Sequence, residues 1–293
     1  MVIIRISGGL GNQIYQYALY RTFQTLGIET KLSLDYFRDV SIMKAVPGHS
    51  AKYLLGEVFG NIKESFSTEE EDRVYHKFVK NSFLRFLGRK GFIKGLLIED
   101  IQTEKTTYHP SVFSCKNGYI DGYWQSSKYS SDIIDDLKNE LSFKKPLVGK
   151  NLEISNQIRN SNSVSVHVRR GDYLNTEYEM LKMPYYSKAL ELVKNKIDNP
   201  QFFIFSDDIE WCRNNLGIEG TYVNWNKGDN SYIDMQLMSL CKANIVANST
   251  FSIWAATLNR NIQPLIIHPY KYLKSDFQKA DRWSDDWIEI KYK

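Results

Sequence analysis

Three short segments of the chain collect residues that can bind phosphate or move a proton. His167-Val168-Arg169-Arg170-Gly171-Asp172-Tyr173 brings together an imidazole, two guanidinium forks and a carboxylate. Paired arginines match phosphate oxygens bidentately. Gly171 permits a tight turn, and Asp172 can orient an arginine or accept a proton; an arginine paired with Asp172 on a surface turn is the simpler reading of the same residues. Ala247-Asn248-Ser249-Thr250-Phe251-Ser252 places small polar residues before a helical pattern. The N–H groups and dipole of such a helix start favour an anion. A plain helix cap explains the same residues and is compatible with anion binding. Asp207-Asp208 offers a carboxylate pair of the kind that holds a divalent ion. With arginines and a helix N-terminus available to neutralise a diphosphate, no metal is expected. His49, His76, His109 and His268 show no ligand spacing and read as structural or surface residues.

The elements that position these groups follow an α/β rhythm. Val2 to Ser7 is a short β-branched run, Gly8-Gly9-Leu10-Gly11 a flexible turn, and a helical pattern from Asn12 ends at Gly27. Thr30 to Leu34 reads as a second strand, which makes a βαβ opening. Gly8 to Gln13 lacks both the spacing of a dinucleotide fingerprint and the Lys-Ser/Thr of a P-loop. Further strands are expected over 119–124, 164–168, 201–205, 244–246 and 264–268, with helices over 130–140, 184–196, 233–241 and 251–258. A boundary near Pro146 divides the chain into residues 1–148 and 149–293. The clusters at 167–172, 206–208 and 248–252 all follow strands. The carboxyl ends of strands are where open α/β sheets bind ligands, so the three point to one site.

Composition narrows the class. A net charge of +4 is too mild to suggest a nucleic-acid partner. Three cysteines, Cys115, Cys212 and Cys241, form neither a disulfide framework nor a zinc pattern and suit a reducing compartment. Neither a signal peptide nor an apolar stretch of membrane-spanning length is evident, so a cytoplasmic location is expected. From Arg73 to Ile98 no acidic residue occurs, while Lys77, Lys80, Arg85, Arg89, Lys90 and Lys94 alternate with Phe78, Phe83, Phe86 and Phe92. This window suits an amphipathic helix with a solvated basic face, or peripheral contact with an anionic membrane surface.

The chain resembles the bacterial α-1,2-fucosyltransferases of glycosyltransferase family 11. The resemblance runs from Ile4 to about Leu258 and rests on Gly8–Gln13, His167–Tyr173, Phe205–Asp208 and Asp234–Ser252. It implies a GT-B-type α/β fold, two Rossmann-like domains facing a cleft, with the donor held by the C-terminal domain. It implies inverting, metal-independent transfer of fucose from GDP-fucose to the 2-hydroxyl of a β-galactoside, in O-antigen or capsule synthesis. Related enzymes make α-1,6 or protein-linked products, and a non-catalytic nucleotide-sugar or glycan-binding protein is the alternative from another class. By this resemblance Arg169 binds the β-phosphate and Asn12 reaches across the cleft. His167 and Asp234 read guanine, and Ser249, Thr250, Phe251 and Ser252 line the diphosphate. Gly9, Gly11, Arg170, Asp207 and Asn248 complete the expected donor site. Asp172 is the candidate base, with Glu177 next. Where many bacterial members carry a double tryptophan, this chain keeps only Trp254, which touches acceptor preference or packing.

Overall fold

The computed structural model describes residues 1–38, 52–90, 92–93, 96–98, 108–173, 181–272 and 281–292. The chain divides into two compact units, Met1–Lys144 and Lys145–Lys293.

In the N-terminal unit, β1 (Val2–Arg5), β2 (Thr30–Ser33), β3 (Leu96–Ile98) and β4 (Gly118–Asp121) form a parallel sheet in the order β2-β1-β4-β3. Every residue of β1 is buried, as a strand covered on both faces requires. Helix α1 (Leu10–Thr25) connects β1 to β2, and Gly27 takes a φ of 72° just beyond its end, where a side chain would be strained. Helices α2 (Asp35–Arg38), α3 (Leu55–Val58), α4 (Glu69–Lys80), α5 (Ser82–Arg89) and α6 (Ile134–Glu140) complete the described helices of this unit.

The basic window is not one helix. Asn81 ends the first segment and caps α5, its side chain accepting the Leu84 N–H at 3.0 Å. Leu96-Leu97-Ile98 then pairs in parallel with β4 as an edge strand of the sheet, which ends the helical stretch. The acidic run before it starts α4 through a capping box. The Glu71 carboxylate accepts the Thr68 N–H at 2.8 Å, and Thr68 Oγ1 accepts the Glu71 N–H at 3.2 Å.

In the C-terminal unit, α7 (Gly149–Arg159) leads to β5 (Ser163–Val168), α8 (Met183–Lys196), β6 (Gln201–Ser206), α9 (Ile209–Asn215) and β7 (Thr221–Val223). Then follow α10 (Tyr232–Ser239), β8 (Ala243–Ile245), α11 (Thr250–Thr257), β9 (Leu265–Pro269) and β10 (Ile288–Ile290). The six strands are parallel in the order β10-β9-β8-β5-β6-β7. Val164, Val166 and Val168 of β5 pack with Ile204, Ile245, Tyr185 and Tyr186 in the core. Each such fully buried aliphatic side chain contributes about 1.5–3 kcal/mol. Ser165, on the opposite face of β5, accepts from Asn244 at 2.7 Å, and Asn244 in turn accepts from Asn259 at 2.8 Å. Strand order reverses between β5 and β8, which makes their carboxyl ends the topological switch point.

Candidate functional site

The switch point of the C-terminal sheet carries the two clusters that the sequence singles out. β5 ends in His167-Val168 and continues into Arg169-Arg170, followed by a 3-10 turn at Gly171–Tyr173. β8 runs through Val246-Ala247-Asn248-Ser249 into α11. Two contacts join the segments: the Tyr173 hydroxyl donates to the Asn248 carbonyl at 2.8 Å, and the His167 ring lies 5.9 Å from that of Phe251.

The arginine turn is shaped by Asp207. Register pairs Val168 with Ser206, so the residues after β5 and β6 are neighbours. The Arg170 and Gly171 N–H groups donate to the Asp207 carboxylate at 2.9 and 3.0 Å, and Arg169 Nε lies 3.3 Å from it. Asp207, expected at the donor, therefore holds the loop that carries the arginines. A Cβ at Gly171 would stand 3.1 Å from Asp207 Oδ2, so a glycine fits this loop best. Arg170 is likewise held, by Asp208 at 3.1 Å and over the Trp211 ring at 4.2 Å. Asp208 also caps α9, accepting the Trp211 N–H at 3.1 Å. The expected carboxylate pair is thus divided between two structural tasks. Among the described residues no group of three or more His, Cys, Asp and Glu is placed to hold a metal ion.

Arg169 remains partly exposed. His167 is buried, and its Nδ1 has no hydrogen-bond partner among the described residues. Burial, with the Arg169 charge beside it, pushes its pKa down to about 3, so the imidazole is neutral at physiological pH. A buried imidazole nitrogen without a partner is a costly arrangement that a bound donor or acceptor relieves.

Ser249 stands at the cap position of α11 and makes no side-chain cap hydrogen bond. Ser252 spends its hydroxyl on the Ala247 and Ser249 carbonyls, each at 3.2 Å, and thereby holds the loop rather than facing outward. Asn248 is buried and ties the loop to Tyr272 by donating to its carbonyl at 2.8 Å. Thr250 and Phe251 are partly exposed at the helix start. Trp254 is buried within α11.

Asp234 lies in the first turn of α10 and is partly exposed. Burial pushes its pKa up to about 7, although the Asn226 hydrogen bond at 2.7 Å works the other way. The Asp172 side chain and all of Glu177 lie outside the described residues.

In the N-terminal unit the corresponding loop follows β1. Asn12, in the first turn of α1, accepts from Gln125 Nε2 at 2.7 Å. Gly8, not Gly9, is the position that requires glycine: its φ is 74°, and a Cβ there would lie 2.7 Å from Asn12 Nδ2. Gly9 has an ordinary φ of −76° and open space where its Cβ would be. Gly11 is buried inside α1. Gln13 staples the loop, donating to the Gly8 and Lys52 carbonyls at 2.8 and 3.0 Å. The sequence reading missed a buried arginine nearby. Arg5 pairs with Asp35 at 2.8 Å and with Asp121 at 3.3 Å. An arginine inside a four-residue strand was the available signal.

Comparison with known proteins agrees with this architecture. The family model for glycosyl transferase family 11 matches residues 1–291. Alpha-1,2-colitosyltransferase of Escherichia coli is 29% identical over 99% of both chains. Galactoside 2-alpha-L-fucosyltransferase SEC1 of Bos taurus is 33% identical over 35% of this chain and 30% of its own length. Among solved structures, fucosyltransferase NodZ from Bradyrhizobium superposes with a TM-score of 0.51 at 13% identity, covering 87% of this chain and 91% of that one. The chain belongs to glycosyl transferase family 11 and is a glycosyltransferase with the two-unit α/β fold of the GT-B type.

Proposed function

We propose that the protein transfers L-fucose from GDP-fucose to the 2-hydroxyl of a terminal β-galactoside, with inversion and without a metal ion. The observation that carries this reading is that the arginine-bearing loop after β5 and the start of α11, where Ser249 makes no side-chain cap, lie side by side at the β5/β8 switch point, joined by the Tyr173–Asn248 and His167–Phe251 contacts. The acceptor oxygen attacks the anomeric carbon as the bond from that carbon to the β-phosphate oxygen breaks. GDP leaves with the bonding electrons, and its diphosphate gains charge. Arg169 and the first N–H groups of α11 stand where that charge develops, each such donor contributing about 3–4 kcal/mol. Cations and helix dipole thereby fill the role a divalent ion would take. The hydroxyl proton passes to a base, for which Asp172 is the first candidate and Glu177 the second. His167 and Asp234 recognise the guanine, and Asn12 retains the role that the family resemblance gives it.

The α-1,2 linkage and the galactoside acceptor draw support from the two relatives, whose names carry α-1,2-colitosyl and galactoside fucosyl transfer. The relative matched over its full length favours a second donor reading, in which the sugar is colitose, the 3-deoxy counterpart of fucose. The test is incubation with GDP-fucose, or with the 3-deoxy sugar nucleotide, and a panel of β-galactosides in EDTA. GDP release with a product linked at O2 of galactose supports the reading. A product linked at O6 moves the enzyme to another linkage class. GDP binding without turnover on any galactoside points to a different acceptor or to a sensor.

The acceptor is proposed to be lipid-linked, with the basic-aromatic window resting on an anionic membrane surface. Phe83 and Phe86, one helical turn apart on α5, are 64% and 51% exposed, and Phe92 is 74% exposed. Arg73 and Lys90 are exposed in a stretch that lacks acidic residues. Each basic residue at such a surface contributes about 1 kcal/mol. Co-sedimentation with phosphatidylglycerol vesicles that is lost in Phe83→Ser/Phe86→Ser supports this; equal recovery with neutral vesicles contradicts it.

A further inference from the structure

An amide relay stands behind Asp234 that the donor-site residues do not include. After β7 the chain passes through Trp225-Asn226 before reaching α10. Asn226 Nδ2 donates to Asp234 Oδ1 at 2.7 Å. The same carboxamide faces that of Asn151, in the first turn of α7, in a reciprocal pair. Asn151 Nδ2 donates to Asn226 Oδ1 at 2.9 Å, and Asn226 Nδ2 donates to Asn151 Oδ1 at 3.0 Å. Trp225 Nε1 donates to Asn151 Oδ1 at 2.8 Å, and Lys150 Nζ sits 3.6 Å above the Trp225 ring.

The direction of this relay is fixed by chemistry. An indole N–H only donates, so the group of Asn151 facing Trp225 is its oxygen. That sets the Asn151 amide, and the reciprocal pair then sets the Asn226 amide. Asn226 is left presenting N–H, never C=O, to Asp234. An N–H donor favours the ionised carboxylate over the protonated acid. It also holds the side chain in one orientation while leaving Oδ2 and the second lone pair of Oδ1 for a ligand.

We infer that Asn226, oriented by Asn151 and Trp225, is a positioning residue that holds Asp234 as a carboxylate acceptor for the nucleobase of the donor. The inference rests on the proposed reading of guanine by Asp234. A fixed carboxylate accepts two neighbouring N–H groups, which the Watson–Crick edge of guanine supplies and that of adenine does not. The relay therefore sets base selectivity and donor affinity, and leaves the transfer step alone.

The test is titration of GDP, IDP and ADP into the wild-type protein and into Asn226→Ala, Asp234→Ala and the double variant, with donor KM and kcat measured alongside. Trp225→Phe serves as a milder variant that keeps the ring and removes the N–H. A lost hydrogen bond to a charged group costs about ten- to a hundredfold in affinity. The expected result is at least tenfold weaker GDP binding in Asn226→Ala, a matching rise in donor KM, and kcat within twofold of wild type. The double variant should be no weaker than Asp234→Ala, and Trp225→Phe should weaken GDP about threefold. In both Asn226→Ala and Asp234→Ala the preference for GDP over ADP should narrow. Wild-type GDP affinity in Asn226→Ala and Trp225→Phe, beside a weakened Asp234→Ala, would overturn the relay while leaving the reading of guanine by Asp234 intact. Wild-type affinity in Asp234→Ala would overturn both.

Discussion

Each unit opens on a strand with a neighbour on both sides, β1 between β2 and β4 in one and β5 between β8 and β6 in the other. The polar residues around the ends of these strands are used differently. At β1/β4 the groups satisfy one another. Arg5 is enclosed by Asp35 and Asp121, Gln16 spends its amide on Ser7 and Gly122, and Asn12 accepts from Gln125. Burial opposes the charge on Arg5, but Asp121 and Asp35 outweigh it and raise the pKa. At β5/β8, the partly exposed Arg169 lies 3.3 Å from Asp207, His167 Nδ1 has no hydrogen-bond partner among the described residues, and Ser249 makes no side-chain cap hydrogen bond. The contrast teaches that similar loops after a unit's first strand carry different chemistry: a closed buried ion-pair cluster in one, a partly exposed arginine beside a helix start in the other.

The sharpest way to break this comparison is to exchange each arginine for methionine. Arg5→Met leaves two buried carboxylates without their cation and should cost about 3–5 kcal/mol of stability, read by chemical denaturation. Arg169→Met should keep stability within about 0.5 kcal/mol and reduce transfer about 100- to 1,000-fold or more, read from initial rates. Lost activity in a stable Arg5→Met, or lost stability in Arg169→Met, would erase the distinction.

The glycines give a smaller version of the same contrast. Gly8→Ala forces a Cβ against Asn12 at a φ of 74° and should cost about 1–2 kcal/mol. Gly9→Ala, with open space at a φ of −76°, should change stability by under about 0.5 kcal/mol. Thermal melts of the pair decide it.

The pH effects are milder. The Asp234 pKa in the folded protein, about 7, lies above that of an unfolded carboxyl, so the folded state holds this proton more tightly. Stability from this group is therefore full at low pH and falls as pH rises through about 7. GDP binding, which needs the carboxylate, should strengthen across the same range, and Asp234→Asn should flatten both trends. For His167, depressed to about 3, the unfolded chain binds the proton more tightly, and its contribution is lost as pH falls from about 6.5 toward 3. Denaturation midpoints measured against pH separate the two groups.

Much of the scaffold was legible because β-branched runs and helix signals are local. Val164–Val168 and the helix after Asn248 fall within one or two residues of their observed positions. The β3 strand was not, because Leu96-Leu97-Ile98 sits in a window whose basic and aromatic pattern fits a helix equally well. The site was legible as segments rather than as contacts. Asp207 reads as a ligand-binding carboxylate in sequence, and only the β5–β6 register shows that it also holds the Arg170 and Gly171 amides. Asn151 and Asn226 are 75 residues apart, and neither belongs to a motif, so only the fold brings their amides together. Gly8 and Gly9 are chemically identical, and backbone geometry alone tells which one must be glycine.

The most direct test of the central claim is a crystal structure with GDP bound, read for the position of the two phosphorus atoms. The account predicts the β-phosphate within hydrogen-bond distance of the Arg169 guanidinium and of the first N–H groups of α11. A diphosphate seated instead on the Gly8–Asn12 loop beyond β1, with Arg169 still held by Asp207 and free of ligand, would contradict it.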